Sequence, residues 1–285
     1  MDAPATAAHG VTPEPFGPNS MVWQHFGSRL GYLHGAAYGI LQNMLPALGA
    51  GVTQHSDVYD DPWDRLIRSL PQILGVVYDG SDAAATAEQI RRYHEPITGV
   101  DDQGRRYHAL DPDTYYWAHA TFVRAIFFGI EIGGIELTAA QKEQLYRESV
   151  DWYAMYGLSM RPVPPDYAAF CAYWDRMCAD VLEPTPAALR LLQLFDHFGD
   201  SPYPGVPKVL WRGAAPLVAR PLRWLNHGVF PPVVREKLGI TWTDRDERRF
   251  RRVMRTMGAV WSRMPPRVRL ISRAYAAHRR VARRH

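Results

Sequence analysis

Apolar positions three and four residues apart run through most of the chain, and strict apolar/polar alternation is scarce, so the pattern predicts an all-α protein. Met1–Asn19 is rich in Ala, Pro and Gly and reads as a flexible arm. Met21–Leu48 reads as one or two helices. Its Gly31, Gly35, Ala36, Ala37 and Gly39 are small enough to admit another backbone or a flat ligand. Asp61 as N-cap, Pro62 in the first helical position and Asp64 in the first turn predict a helix to about Val77. Thr86–His94 reads as the next helix and stops before Pro96, which disfavours helical geometry at Glu95. Gly99–Tyr107 reads as a turn or short hairpin.

Asp111-Pro112-Asp113 opens a long apolar helix to about Gly129, and Thr138 with Gln141 forms a capping box for a helix to Tyr156. After a proline bend at Pro162–Pro165, Asp166–Leu182 and Pro186–Phe198 read as helices, and Asp200–Pro207 as irregular. Thr243 with Asp246 caps a basic helix that ends before Pro265. No internal repeat is present. The expected organisation is a flexible arm over 1–19 and one helical domain over 20–240. Basic amphipathic helices over 241–285 pack on that domain or extend from it.

Composition narrows this picture. A 285-residue chain that is 47% apolar can bury one large core. The longest apolar stretch, His119–Leu137, is broken by Arg124 and Glu131, which argues against a membrane span, and residues 1–20 lack a basic-then-apolar leader. The two cysteines, Cys171 and Cys178, sit two helical turns apart, too far to bridge within a helix, and read as reduced thiols of a cytoplasmic protein.

Charge is unevenly placed. Residues 245–285 hold fourteen arginines against Asp246 and Glu247, an excess of +12, so the remainder carries −8 in a chain of net +4. Arg245, Arg248, Arg249, Arg252 and Arg255 recur at helical spacing with Phe250, Val253, Met254 and Met257 between them. That is an amphipathic basic helix. It suits a solvated face, a membrane surface or a nucleic-acid patch.

The common catalytic signatures are missing: no GxSxG, Walker loop, GxGxxG, HExxH or Glu-x-x-His occurs. A metal in this chain must depend on few protein ligands, and a porphyrin, which brings four nitrogens of its own, meets that limit. Three segments carry the candidate chemistry: Gly51–Ser56 with Asp61–Ser69, Arg91–His94 with Gly99, and Tyr107–Pro112 with Trp117–Thr121. Arg65, Arg68 and Ser69 share one helical face, as do Arg91 and His94. One imidazole and several guanidinium groups suit an iron porphyrin with its two propionates.

These segments, in this order, resemble the latex-clearing-protein and mycophenolic-acid-pathway oxygenase family over about residues 20–180. Gln42, Gly51–Ser56, Arg65–Ser69, Arg91–His94, Tyr107–Pro112 and Trp117–Thr121 carry the likeness. The resemblance implies a globin-like helical bundle with a haem cleft, b-type haem (heme b), and His94 as the proximal iron ligand. It implies a haem-site role for Arg65. Arg65, Arg68, Arg91 and His119 are candidate haem contacts, and Arg68, Ser69 and Thr121 a candidate distal pocket; salt bridges with Asp60, Asp61 or Asp64 for Arg65 and Arg68, and helix packing for His119 and Thr121, are the alternatives. Arg68 stands where the family has a lysine able to reach iron. A guanidinium is a very poor ligand, so the distal side is open or closed by another group. Ser69 replaces the usual threonine, Leu45 occupies a position often held by histidine, and no glutamate aligns with the proposed base of rubber cleavage.

The activity so implied is a haem-dependent oxygenase or oxidase using O2 or a peroxide on a hydrophobic substrate. A haem-binding carrier or sensor, and a helical scaffold without cofactor, remain the alternatives. For the basic C-terminus the resemblance favours peripheral contact with an anionic membrane over nucleic acid.

Overall fold

The computed structural model describes residues 14–194, 196, 197, 200 and 202–283. Most of the arm expected over Met1–Asn19, and Phe198 at the end of a predicted helix, lie outside these residues. Fifteen helices and one two-stranded hairpin make up the described residues.

The first quarter is more broken than its composition suggests. Four short helices, α1 (Met21–His25), α2 (Arg29–Tyr32), α3 (Gly35–Asn43) and α4 (Pro46–His55), replace the one or two expected. Gly31, Gly35 and Gly39 face open space rather than a packed backbone. The close approach occurs at Gly27, where a Cβ would meet the Ala274 methyl at 2.3 Å and the Tyr78 hydroxyl at 2.7 Å.

Next come α5 (Pro62–Tyr78) and α6 (Ala83–His94), an antiparallel pair joined by a 3-10 turn. Asp61 caps α5 by accepting the Asp64 N–H, as the sequence predicts. A hairpin follows at once, β1 (Thr98–Val100) with β2 (Arg106–His108), in the register Thr98↔His108 and Gly99↔Tyr107. Asp101 holds its turn by accepting from the Gln103 and Arg105 N–H groups, and Gly104 takes the left-handed conformation there (φ +77°).

The centre of the molecule is α7 (Pro112–Ile132), buried on nearly every side and capped by Asp111. Around it lie α3, α8 (Ala139–Ala154) and α9 (Tyr167–Arg176). Trp117 of α7 donates its indole N–H to the Leu41 carbonyl of α3 (3.1 Å), and His119 bonds the Ser149 carbonyl of α8 (2.8 Å). The helix expected to run to Leu182 instead widens into a π-turn at Met177–Val181. Then come α10 (Pro186–Gln193), α11 (Lys208–Val229) and α12 (Pro232–Lys237). The sequence pattern did not predict α11, because Pro216 and Pro221 sit inside it.

The basic helix forms where expected, as α13 (Asp244–Ser262), with the Thr243/Asp246 capping box in place. Its apolar stripe is not free, because Phe250 and Met254 are buried in a small cluster with Ile132 and Leu30. After α14 (Pro266–Arg269), α15 (Ser272–Ala282) returns to pack on α5. The Ile271 N–H donates to the Gly27 carbonyl at 2.9 Å, and Arg280 donates to the Tyr78 carbonyl at 2.8 Å.

Candidate functional site

The separate motifs meet at one place. The C-terminal turn of α4 lies on the hairpin: Gln54 donates to the Val100 carbonyl (2.8 Å) and accepts from the Tyr107 hydroxyl (2.7 Å). His55 bonds the Thr98 carbonyl (3.1 Å) from an exposed position. The next residue, Ser56, accepts the Nε–H of Arg65 on α5 (3.2 Å). Arg65 in turn lies close enough to His94 on α6 to lower its pKa. The His94 ring then stands nearly perpendicular to Tyr115 of α7, with centroids 5.6 Å apart.

His94 has a defined tautomer. Nδ1 lies 2.8 Å from the Ile90 carbonyl one turn back, and a carbonyl only accepts, so Nδ1 carries the proton. Nε2 is left with its lone pair and has no hydrogen-bond partner among the described residues. Burial lowers the ring's pKa below 6.5; the Ile90 bond opposes this and Arg65 adds to it. His94 is therefore a neutral, oriented imidazole at neutral pH, the state a metal requires of a histidine.

Arg65 is a largely buried cation with no carboxylate partner among the described residues. Burial, and then Arg68, lower its pKa. An unpaired guanidinium in this setting is suited to an anion. The other arginines differ. Arg68 is exposed and bonds Asp64 at 2.6 Å, and Arg91 pairs with Glu95 at 3.1 Å. Ser69 is half-buried on the same helix.

Two predicted residues face other helices. Thr121 is fully buried, accepts from the Gln42 amide (2.7 Å) and donates to the Ala118 carbonyl (2.7 Å), so both roles of its hydroxyl are taken. His119 packs among Trp152, Tyr153 and Tyr116. Its Nε2–H goes to Ser149, while Nδ1 is sealed without a partner. Burial brings its pKa down to about 4. Tyr115 links the two histidines, since it touches His94 and also Tyr153 and Tyr156, on which His119 packs.

Sequence reasoning gave no role to Ser56, Tyr115 or Ile90. The Ile90 contact could have been found from spacing, because a helical side chain can reach the carbonyl four residues back. Among the described residues, no three His, Cys, Asp or Glu side chains gather as an all-protein metal site. A cavity of about 400 Å3 lies between α7 and α9, lined by Arg124, Tyr38, Tyr167 and Cys171 among others, and one of about 240 Å3 lies between α4 and α10. His94, Arg65 and Arg91 line neither. Cys178 is a buried core thiol pushed up to about 12 by burial.

The profile of the family described as ER-bound oxygenase mpaB/B'/rubber oxygenase, catalytic domain, matches residues 23–259. The chain belongs to this family. The span takes in every motif above and ends inside α13, so α14 and α15 lie beyond it. Comparison with curated proteins and with solved structures gives no match. Membership in an oxygenase family supports an oxidoreductase. No helix among the described residues is long and apolar enough to cross a membrane.

Proposed function

We propose that this member of the rubber oxygenase family is a b-type haem-dependent oxygenase or oxidase acting on a hydrophobic organic substrate. The observation that carries the proposal is the tautomer of His94: Nδ1–H engaged by Ile90, with Nε2 left as a neutral donor. In donor chemistry the residues present suit haem, and neither cavity described above adjoins them. His94 would supply a nitrogen ligand, Arg65 an unpaired cation for a propionate, and Arg91 a second cation on the face of α6 that bears His94.

When bound, haem supplies the redox chemistry that activates O2 or a peroxide toward an organic substrate. The chain's own residues do the positioning. The Ile90 carbonyl fixes the His94 ring and strengthens its donor nitrogen. The hairpin and α4, joined through Gln54 and Tyr107, hold Ser56, and Ser56 fixes Arg65. Tyr115 packs a buried ring nearly perpendicular to His94.

The test is the absorption spectrum of the purified protein after haem supplementation, with carbon monoxide added to the reduced form and oxygen uptake followed with apolar substrates. The expected result is a Soret band that shifts with carbon monoxide, and a His94→Ala protein that folds but loses that spectrum. Full haem occupancy with an unchanged spectrum in His94→Ala removes His94 from the role. A carbon monoxide-inert haem without oxygen uptake favours a carrier.

A further inference from the structure

The first half of one helix is built with its polarity reversed. α11 packs inward through the small residues Ala215 and Ala219 and through Asn226, all buried. Asn226 anchors it by accepting the Ala37 N–H (2.9 Å) and donating to the Leu33 carbonyl (3.1 Å). In its first half the bulky apolar residues point the other way, whereas Leu222, Trp224, Leu225 and Val229 of its second half pack on the core. Leu210, Leu217 and Val218 are 66%, 78% and 45% exposed, and the exposed Ala214 lies between them. These positions, spaced four, three and one apart, form a single ridge on one helical face. Val209, at 83% exposed, and Tyr203 and Val206 ahead of the helix extend the apolar surface. An amphipathic helix ordinarily turns its large apolar side chains to the core, and a ridge of this kind marks a partner surface.

Charge selects the partner. From Pro202 to Arg235 the chain contains no Asp or Glu, while Lys208, Arg212 and Arg220 are exposed along α11. None of these three is in an ion pair among the described residues. An apolar ridge on a helix that also exposes three cations outside any ion pair, in a stretch free of acids, has the makeup of a helix lying in the interface of an anionic bilayer. A second copy of the same surface would face it with the same uncompensated charge.

We propose that the first half of α11 docks this protein on an anionic lipid surface, with Leu210, Leu217 and Val218 entering the acyl boundary and Lys208, Arg212 and Arg220 meeting headgroups. This places the membrane contact on α11 rather than on α13, whose apolar stripe is already committed to the core. α11 also leans on α5, where Trp63, two residues before Arg65, packs edge-to-face on Tyr203 (5.1 Å) and Trp211 (6.0 Å). The proposal stands without the haem reading, because lipid binding needs no cofactor.

The experiment is flotation of the full chain with phosphatidylcholine vesicles, with and without phosphatidylserine, at low salt and at about 1 M salt, where charge is screened beyond about 3 Å. Wild-type protein is expected to float with the anionic vesicles at low salt and to be released by high salt. The Leu210→Glu/Leu217→Glu double variant changes only exposed side chains; with native circular dichroism, it should lose partitioning by about tenfold or more. Arg212→Glu/Arg220→Glu should lose the anionic preference. Absence of wild-type binding overturns the proposal. So does unchanged binding of the double variant, with Arg248→Glu/Arg252→Glu on α13 losing it instead. Self-association in sedimentation that the double variant abolishes, without vesicle binding, assigns the ridge to a second copy and also overturns the proposal.

Discussion

Arg273 grips both carboxylate oxygens of Asp79, Nε to Oδ1 at 2.8 Å and Nη2 to Oδ2, and so fastens α15 to the end of α5. Its third nitrogen donates to the Pro71 carbonyl at 2.7 Å. Asp79 is mostly shielded from water, with a side chain 16% exposed, so removing the guanidinium strands a carboxylate that retains only Thr86. Arg273→Ala is expected to cost about 2 kcal/mol, discounted for the partly exposed arginine. Arg273→Lys, without the planar fork, should recover only part of that. Urea midpoints of the two variants check this, and an Arg273→Ala midpoint equal to wild type refutes it. Arg273 lies beyond the span matched by the family profile and Asp79 within it, so α15 stabilises the fold from beyond that span.

Thr121 offers a way to separate a pocket residue from a helix clamp. Its hydroxyl accepts from Gln42 and donates to Ala118, which joins α3 to α7 in the core. Thr121→Val leaves the Gln42 amide short of an acceptor and is expected to cost about 1–2 kcal/mol. The spectrum of a haem-loaded protein should be unchanged. A shifted Soret or carbon monoxide band in Thr121→Val would instead return the residue to a distal pocket.

Where a local signal has a single physical cause, the sequence was readable. The caps at Asp61, Asp111, Thr138 and Thr243 all form as their side-chain chemistry requires, and each starts a helix. The motif set was legible only through its resemblance to a known family, and the fold brings Ser56, Arg65 and His94 of that set into a contiguous run. What stayed hidden depended on tertiary context. α11 holds two prolines, which argue against a helix locally, yet Asn226 and the small residues Ala215 and Ala219 fasten it to the body. The arginine periodicity of α13 was legible, but the use of its apolar stripe was not, since Phe250 and Met254 pack on residues from distant helices. Arg65 and Arg68 look equivalent in the chain. Only the fold shows one half-buried with no acid beside it among the described residues and the other exposed on Asp64.

The approach of α13 to the end of α7 leaves no room for a side chain at Gly258. A Cβ there would stand 2.2 Å from the Ile132 carbonyl oxygen and 2.8 Å from the Gly133 Cα, both backbone atoms. Gly258→Ala should therefore push the two helices apart and cost about 1–3 kcal/mol, despite a gain in helix propensity. Thermal unfolding reads the loss. A stabilised Gly258→Ala protein would mean that the helices can separate freely.

Acid should destabilise the protein through two sealed histidines. Burial lowers His34 and His119 from 6.5 to about 4, and both nitrogens of His34 lack hydrogen-bond partners among the described residues. The unfolded chain takes up these protons near 6.5, and the folded chain only near 4. Between those values the unfolded state binds more protons, so stability is full above 6.5, falls as pH drops, and levels off below about 4. Each histidine contributes on the order of 3 kcal/mol to that fall. His34→Leu loses no hydrogen bond and should flatten the decline while leaving stability at neutral pH unchanged or higher. Urea midpoints across this window decide it, and a His34→Leu slope equal to wild type removes His34 as a contributor.

Arg65 and Arg68, three residues apart, give the sharpest test of haem retention. Arg65 is held by Ser56 and meets no acid, so an anion arriving there gains a charge-assisted bond from a cation whose desolvation is already largely complete. Arg68 is exposed and bonded to Asp64, so an anion would have to displace a carboxylate and compete with water. Arg65→Leu should then accelerate haem loss by about tenfold to a hundredfold, in line with about 1.5–3 kcal/mol for a hydrogen bond to a charged group. Arg68→Leu should stay within about twofold of wild type, because exposed pairs contribute little. Haem transfer to an apo-globin acceptor measures both rates. Equal effects at the two positions, or none at Arg65, would show that the buried guanidinium does not contact the cofactor. Ser56→Ala, which frees Arg65 without deleting its charge, should fall between wild type and Arg65→Leu.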